Sequence, residues 1–260
     1  MELSYYKINP TGNITLIVET PVLRESQSRI AARLMALCND AQQVGFLENP
    51  SDTAAQIRLQ MMGGEFCGNA SISAAALTAS TNGIDSGNIC LEVSGVDKPL
   101  DITIEKQNES VYSGTVNMPM SERIESICID GKSFPIVHFE GISHIIADCT
   151  LDRSFAEANI RAVCNELNAD ALGIMFVDGD RLEPFVYVAS TDSAVWEGSC
   201  ASGTTAVGAY MAFRDKESCK LSYTQPGGTL SVEAQYSDGA LTSLLLTGSA
   251  EIVGRYLICT

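Results

Sequence analysis

Cys67-Gly68-Asn69-Ala70-Ser71-Ile72-Ser73-Ala74 and Cys200-Ala201-Ser202-Gly203-Thr204-Thr205-Ala206-Val207 are two versions of one phrase. Each runs cysteine, small residue, amide or hydroxyl, small residue, hydroxyl, and each opens a run of small residues that reads as a buried helix. The cysteines stand 133 positions apart. The parts around them come in the same order. In the first half, Ile14 to Val18 reads as a strand after the turn Asn9-Pro10-Thr11-Gly12. Ile30, Leu34 and Leu37 then mark a helix capped by Ser26 or Ser28. A strand over Ile57 to Met61 and the Gly63-Gly64 turn lead to Cys67 and a helix of about Ala70 to Thr78; strands follow near 89–93, 100–104 and 111–117. In the second half, strand 142–147 precedes a helix carrying Phe155, Ile160, Val163 and Leu167, capped by Asp152 or Ser154. Strands near 173–177 and 185–189 lead to Cys200 and a helix of about Thr204 to Phe213. The repeat predicts a duplicated α+β unit, two similar domains facing each other across a cleft.

Bulk properties narrow the function classes. The 260 residues are 45% hydrophobic and 18% charged, enough apolar chain for a packed core and too little charge for broad disorder. The net charge of −16 and the absence of any basic patch argue against nucleic acid and anionic membranes as partners. The start, Met1-Glu2-Leu3-Ser4, has neither the basic residues nor the apolar run of a signal peptide, and no stretch is apolar enough for a membrane span. Nine cysteines without CxxC spacing fit a reducing cytoplasm better than a disulfide frame or zinc site. With only His138 and His144 available, no metal is expected. Nor is there a Schiff-base lysine beside a phosphate cup, so no organic cofactor is expected either.

Two cysteines at two helix starts point to proton chemistry. A helix N-terminus stabilises a thiolate and thereby lowers a thiol's pKa. The small residues after each cysteine open the backbone N–H groups to a carboxylate. Inverting an amino acid means removing the α-proton from one face and returning a proton to the other, which two thiol groups of matched acidity can do. Taken singly, a CGN turn is as compatible with an inert buried thiol, the role expected of Cys38, Cys90, Cys128, Cys149, Cys164, Cys219 and Cys259. A non-catalytic amino-acid-binding protein would use the same carboxylate-binding turns.

On Cys67-Gly68-Asn69, on Trp196-Glu197 followed by Cys200-x-Ser-Gly, and from Gly12-Asn13 to Leu246-Thr247-Gly248-Ser249-Ala250, the chain resembles the diaminopimelate epimerase superfamily. The resemblance implies two pseudo-symmetric domains, each a mixed β-sheet wrapped around a central helix. It places the first over residues 1–117, with a C-terminal strand 254–260 returning to it, and the second over 118–253. It implies Cys67 and Cys200 as acid and base. Around the substrate it places Asn13, Glu48, His144 and Glu197, with Gly68-Asn69 and Ala201-Ser202 on the α-carboxylate. A homodimer is implied by the family alone.

The departures count against diaminopimelate itself. The family grips that substrate's distal end with an Asn-Pro-His segment, another asparagine and an arginine after the Trp-Glu pair. Here those stretches read Ile142-Ser143-His144, Gly173-Ile174-Met175 and Trp196-Glu197-Gly198. Proline racemases differ at the first turn, and the phenazine-pathway isomerases lack the cysteine pair. The chain is most similar to histidine racemases, through Gln43-Val44-Gly45-Phe46-Leu47-Glu48, Cys67-Gly68-Asn69-Ala70 and Glu197-Gly198-Ser199-Cys200. Glu48 then suits an imidazole N–H or a cationic side chain. A cofactor-independent isomerase acting on histidine is the expectation, with diaminopimelate or a lysine-like amino acid as alternatives.

Overall fold

A computed structural model describes residues 2–259; Met1 and Thr260, the outer ends of the expected first domain, lie outside the described residues. Two compact units divide the chain, one running to Asn117 and resuming at Thr247, the other spanning Met118–Leu246.

The first unit contains β1 (Glu2–Asn9), β2 (Thr15–Val18), β3 (Gln43–Glu48), β4 (Ile57–Met61), β5 (Ser86–Val93), β6 (Leu100–Lys106) and β7 (Val111–Asn117). They are hydrogen-bonded in sequence order. The far part of β16 (Ala240–Cys259) pairs with β7 on one side and antiparallel with β1 on the other, which closes an eight-stranded barrel. Closure leaves no strand edge in the ring. Helix α1 (Arg24–Leu37) lays Ile30, Ala31 and Leu34 on Leu3, Leu16, Val18, Val44 and Phe46. Helix α2 (Gly68–Thr81) is buried on almost every side and packs against β2, β4, β5, β6 and β7. Its alanines and serines let it do so, and Ser71, Ser73 and Thr78 return their hydroxyls to carbonyls one turn back.

The second unit follows the order β16–β15–β14–β12–β11–β10–β9–β8, with β13 on β12. These are β8 (Arg123–Ile129), β9 (Lys132–Phe139), β10 (Ile142–Asp148), β11 (Ala171–Asp178), β12 (Arg181–Val188), β13 (Ser193–Trp196), β14 (Cys219–Gln225) and β15 (Gly228–Ser237). Helix α3 (Arg153–Glu166) starts at Asp152, whose Oδ1 accepts from Phe155 N at 2.9 Å. It packs Ala156, Ile160 and Val163 on Ile145, Ala147, Leu172, Ile174 and Phe176. Strand alternation therefore turns His144 of β10, and Gly173 and Met175 of β11, to the other face. Helix α4 (Ala201–Asp215) contacts those two strands and β9, β14 and β15. Among the described residues no helix is long and apolar enough to cross a membrane.

Three expectations are corrected. The class is mostly β, with 48% of residues in strands and 23% in helices, not α+β, and the expected mixed sheet of the first unit is a closed barrel. The missed strands explain the error: β14 and β15 alternate more and less exposed positions and carry polar residues between the apolar ones, and β8 is mostly exposed. The α1 cap is Leu23, with no side-chain hydrogen bond, in place of Ser26 or Ser28, and Leu37 is exposed. Of the seven cysteines expected to be buried only Cys164 is; Cys128, Cys149 and Cys259 lie at the surface.

Candidate active site

In the first unit the strand β4 ends at Met61, and the loop to Cys67 is pinned by Ser94, whose hydroxyl accepts from Met61 N and donates to the Glu65 carbonyl. Gly95 (φ +79°) lies so close that a Cβ would collide with the Phe66 backbone. Cys67 is thereby the N-cap of α2, and its Sγ accepts from Ala70 N at 3.4 Å. Gly68 and Asn69, the first two residues of the helix, are buried. Asn13 is buried in the same unit; its Oδ1 accepts from Gln43 Nε2 at 2.7 Å, and the same amide donates to Thr15 Oγ1 at 2.7 Å.

Glu48, in the same unit, is held by three neighbouring side chains. Arg24 Nη2 (2.9 Å) and Gln27 Nε2 (2.8 Å) donate to its carboxylate, and Arg58 Nε stands 3.5 Å away. Burial pushes its pKa up, but the bonds from Arg24 and Gln27 outweigh this and hold it below the usual range.

The second unit assembles a denser group. Trp196, at the end of β13, stacks on Phe185 at 4.4 Å between ring centres, with the Arg153 guanidinium 4.3 Å from its own. This anchors the chain just ahead of Glu197, whose N–H donates to the Pro184 carbonyl at 3.0 Å. Cys200 is the N-cap of α4, and its Sγ accepts from Gly203 N at 3.4 Å. Its own N–H donates to Gln225 Oε1 at 2.9 Å, and Gln225 Nε2 donates to Thr204 Oγ1 at 2.8 Å. Ser202 Oγ lies 3.6 Å from Cys200 Sγ and 2.9 Å from His144 Nε2.

Burial, followed by the charge of Glu197, raises the Cys200 thiol well above its ordinary value; bonds from Ser202 and Gly203 pull it down. Burial also lifts Glu197 to about 7, against a hydrogen bond with Cys200 that lowers it. Two acidic groups thus share one enclosed spot, and each, once charged, disfavours the charged form of the other. His144, fully buried, is held neutral by that burial, its pKa reduced to about 3.

Asn13, Cys67, Gly68 and Asn69 lie in the first unit and Ala201 in the second, where His144, Glu197, Cys200 and Ser202 are brought into one connected group. Sequence reading gave Gln43 only as part of the Gln43–Glu48 stretch, without a role of its own, and passed over Gln225. Gln225 directly precedes the turn Pro226-Gly227-Gly228, which ends β14 and is the local signal beside it. No three His, Cys, Asp or Glu side chains are clustered to hold a metal among the described residues.

Comparison with known proteins decides the family. The model for the histidine racemase CntK N-terminal domain matches residues 2–256. The chain belongs to this family. A histidine racemase of Fusobacterium nucleatum subsp. nucleatum is 34% identical over 254 residues, 91% of this chain and 93% of the relative. The family member described here is an isomerase, an amino-acid racemase. Among solved structures, a probable proline racemase from Agrobacterium radiobacter K84 with bound carbonate has a TM-score of 0.73 at 14% identity, covering 99% of this chain and 93% of that one. A phenazine biosynthesis protein of Bacillus anthracis has a TM-score of 0.71 at 12% identity, covering all of both chains. The fold is that of these proteins, which replaces the diaminopimelate epimerase-like fold expected from the sequence.

Proposed function

We propose that this racemase interconverts L- and D-histidine, without an organic cofactor, by passing the α-proton through two thiols, Cys67 and Cys200. The observation that carries the reading is the same local geometry in each unit: a cysteine as N-cap of a helix of small residues, its sulfur accepting the N–H three residues on at 3.4 Å. That N–H and the helix dipole favour the thiolate, while the thiol remains a competent acid. One cysteine in its thiolate form removes the α-proton as the other, as a thiol, delivers one to the opposite face; the reverse reaction exchanges the roles. The N–H groups of Gly68-Asn69 and Ala201-Ser202 bind the carboxylate and stabilise the charge that spreads onto it as the C–H bond breaks. Asn13, oriented by Gln43, contacts the substrate. Glu197 takes the Cys200 proton when that thiol must become the base, and returns it.

Histidine is favoured by the family and by the 34% identical racemase. The missing distal arginine and asparagines support it, because a second carboxylate would be desolvated without a partner. The thiol chemistry further supports a reducing cytoplasm as the working compartment, and a homodimer is proposed from the family likeness. The test is incubation with L-amino acids in deuterium oxide, reading α-deuterium and chirality. L-Histidine is expected to exceed meso-diaminopimelate in kcat/KM by at least about tenfold, roughly 1.4 kcal/mol of transition-state preference. Diaminopimelate as the better substrate would sink the assignment, and binding without deuterium uptake would make the protein a carrier.

A further inference from the structure

His144 is a histidine with no exposed atom, and its Nδ1 has no hydrogen-bond partner. Nδ1 is pressed against Gly173, where a Cβ would collide with the ring nitrogen, and the Phe139 ring stands edge-on at 6.2 Å. Only Nε2 is satisfied, by Ser202 Oγ at 2.9 Å. A neutral imidazole carries one N–H and one lone pair. Placing the N–H at Nδ1 would strand a donor in an apolar wall, whereas an unsatisfied lone pair there is the less costly defect. The N–H is therefore at Nε2 and donates to Ser202. The serine oxygen, having accepted that bond, is left with its own proton to give, and the acceptor within reach is Cys200 Sγ at 3.6 Å.

We propose that His144 is a positioning residue for Cys200: its Nε2–H fixes the Ser202 hydroxyl so that the serine O–H is aimed at Cys200 Sγ and stabilises its thiolate. The proposal rests on the reading of Cys200 as a proton carrier. It gives the histidine a role without substrate contact, and it gives the serine side chain a task separate from that of its backbone N–H. The surroundings are consistent with it. Burial keeps His144 neutral, so no positive charge is required of it. The charged group acting on Cys200 is Glu197, whose carboxylate opposes the thiolate; Gln225 of β14 meets the Cys200 N–H with a neutral amide, and Met175 of β11 lies against Gly203 in the first turn of α4. The Ser202 O–H and the Gly203 N–H are the two donors that offset Glu197. When Cys200 is a thiol its proton turns to Glu197, and when it is a thiolate it turns to Ser202.

The experiment is alkylation of the intact protein with iodoacetamide across pH, read at the Cys200 peptide by mass spectrometry, for wild type, His144→Phe, His144→Gln, Ser202→Ala and the double variant His144→Phe/Ser202→Ala. The phenylalanine and alanine variants should each move the Cys200 midpoint upward by about one pH unit. His144→Gln, whose amide N–H reaches the position of Nε2, should restore most of the shift. The double variant should move no further than Ser202→Ala alone, since both changes break one chain. Turnover should fall about tenfold in both single variants while KM holds within about twofold, because the Ser202 N–H is untouched. Additive shifts, or a Ser202→Ala midpoint equal to wild type, would overturn the proposal, and the second outcome decides even where His144→Phe fails to fold. Absence of racemisation in the wild type, with the alkylation shifts intact, would instead count against the racemase reading.

Discussion

At the scale of single residues, the two thiols and Glu197 carry the sharpest expectations. Cys67→Ala and Cys200→Ala should each fall below about one per cent of wild-type racemisation, because each removes one of the two proposed proton carriers. Serine in either place should still bind substrate without turning it over, its hydroxyl being far too weak an acid. Chiral chromatography of the product measures both, and near-normal turnover in either alanine variant would end the two-thiol mechanism. Glu197 gives a linkage test. Its folded pKa, about 7, is raised above the ordinary carboxylate value by burial. Such a group favours the folded state fully below the unfolded pKa, and that contribution is lost as pH rises through about 7. Glu197→Gln should therefore melt above wild type at pH 8, by a few degrees for a penalty on the order of 2 kcal/mol, and level with it near pH 4. Turnover should nonetheless drop at least about tenfold. A melting difference independent of pH would mean that the carboxyl is not desolvated.

At the scale of elements, charges stitch helix α1 to the strands beneath it. Arg24 of α1 meets Glu48 of β3, which faces Arg58 of β4, which meets Glu92 of β5 at 3.0 Å. Glu92 also accepts from Ser51 and Asp52, and the backbone N–H groups of these two residues hold its pKa near 2. A folded pKa below the unfolded one supplies stability above the unfolded value and loses it as pH falls. Glu48→Gln should thus lower the melting temperature at pH 7, and the gap should close toward pH 3. Scanning calorimetry at both values checks it; a gap that persists in acid would show that packing, not charge, is lost. These elements also mark where sequence reading worked. Ile57–Met61 and Val111–Asn117 matched because β-branched and apolar residues are dense there. Helix α3 was legible from its 3.6-residue period and the Asp152 cap. Strands β8, β14 and β15 were not, since partly exposed antiparallel strands carry polar residues on the solvent face and imitate loops.

At the scale of the whole molecule, β16 matters most. It runs 20 residues, and its far part fills the gap between β7 and β1. Ending the chain at Leu246 would open the barrel and leave two strands with unpaired backbone groups. The truncated protein should appear in the void volume on size-exclusion chromatography; a soluble, monodisperse truncation would show that the first unit does not depend on closure.

The repeated phrase around Cys67 and Cys200 determined by itself the placement of two thiols at helix starts, because capping and small-residue helices are local effects written in adjacent residues. The family was legible for the same reason, since motifs are strings. Barrel closure was not, because pairing between residues such as Tyr5 and Tyr256 joins positions far apart in the chain and depends on every strand between them. Nor was the pairing of Glu48 with Arg24, Gln27 and Arg58, or the contact of His144 with Ser202. A side chain's partner across a fold is chosen by strand register and facing, and those exist only once the tertiary structure has formed.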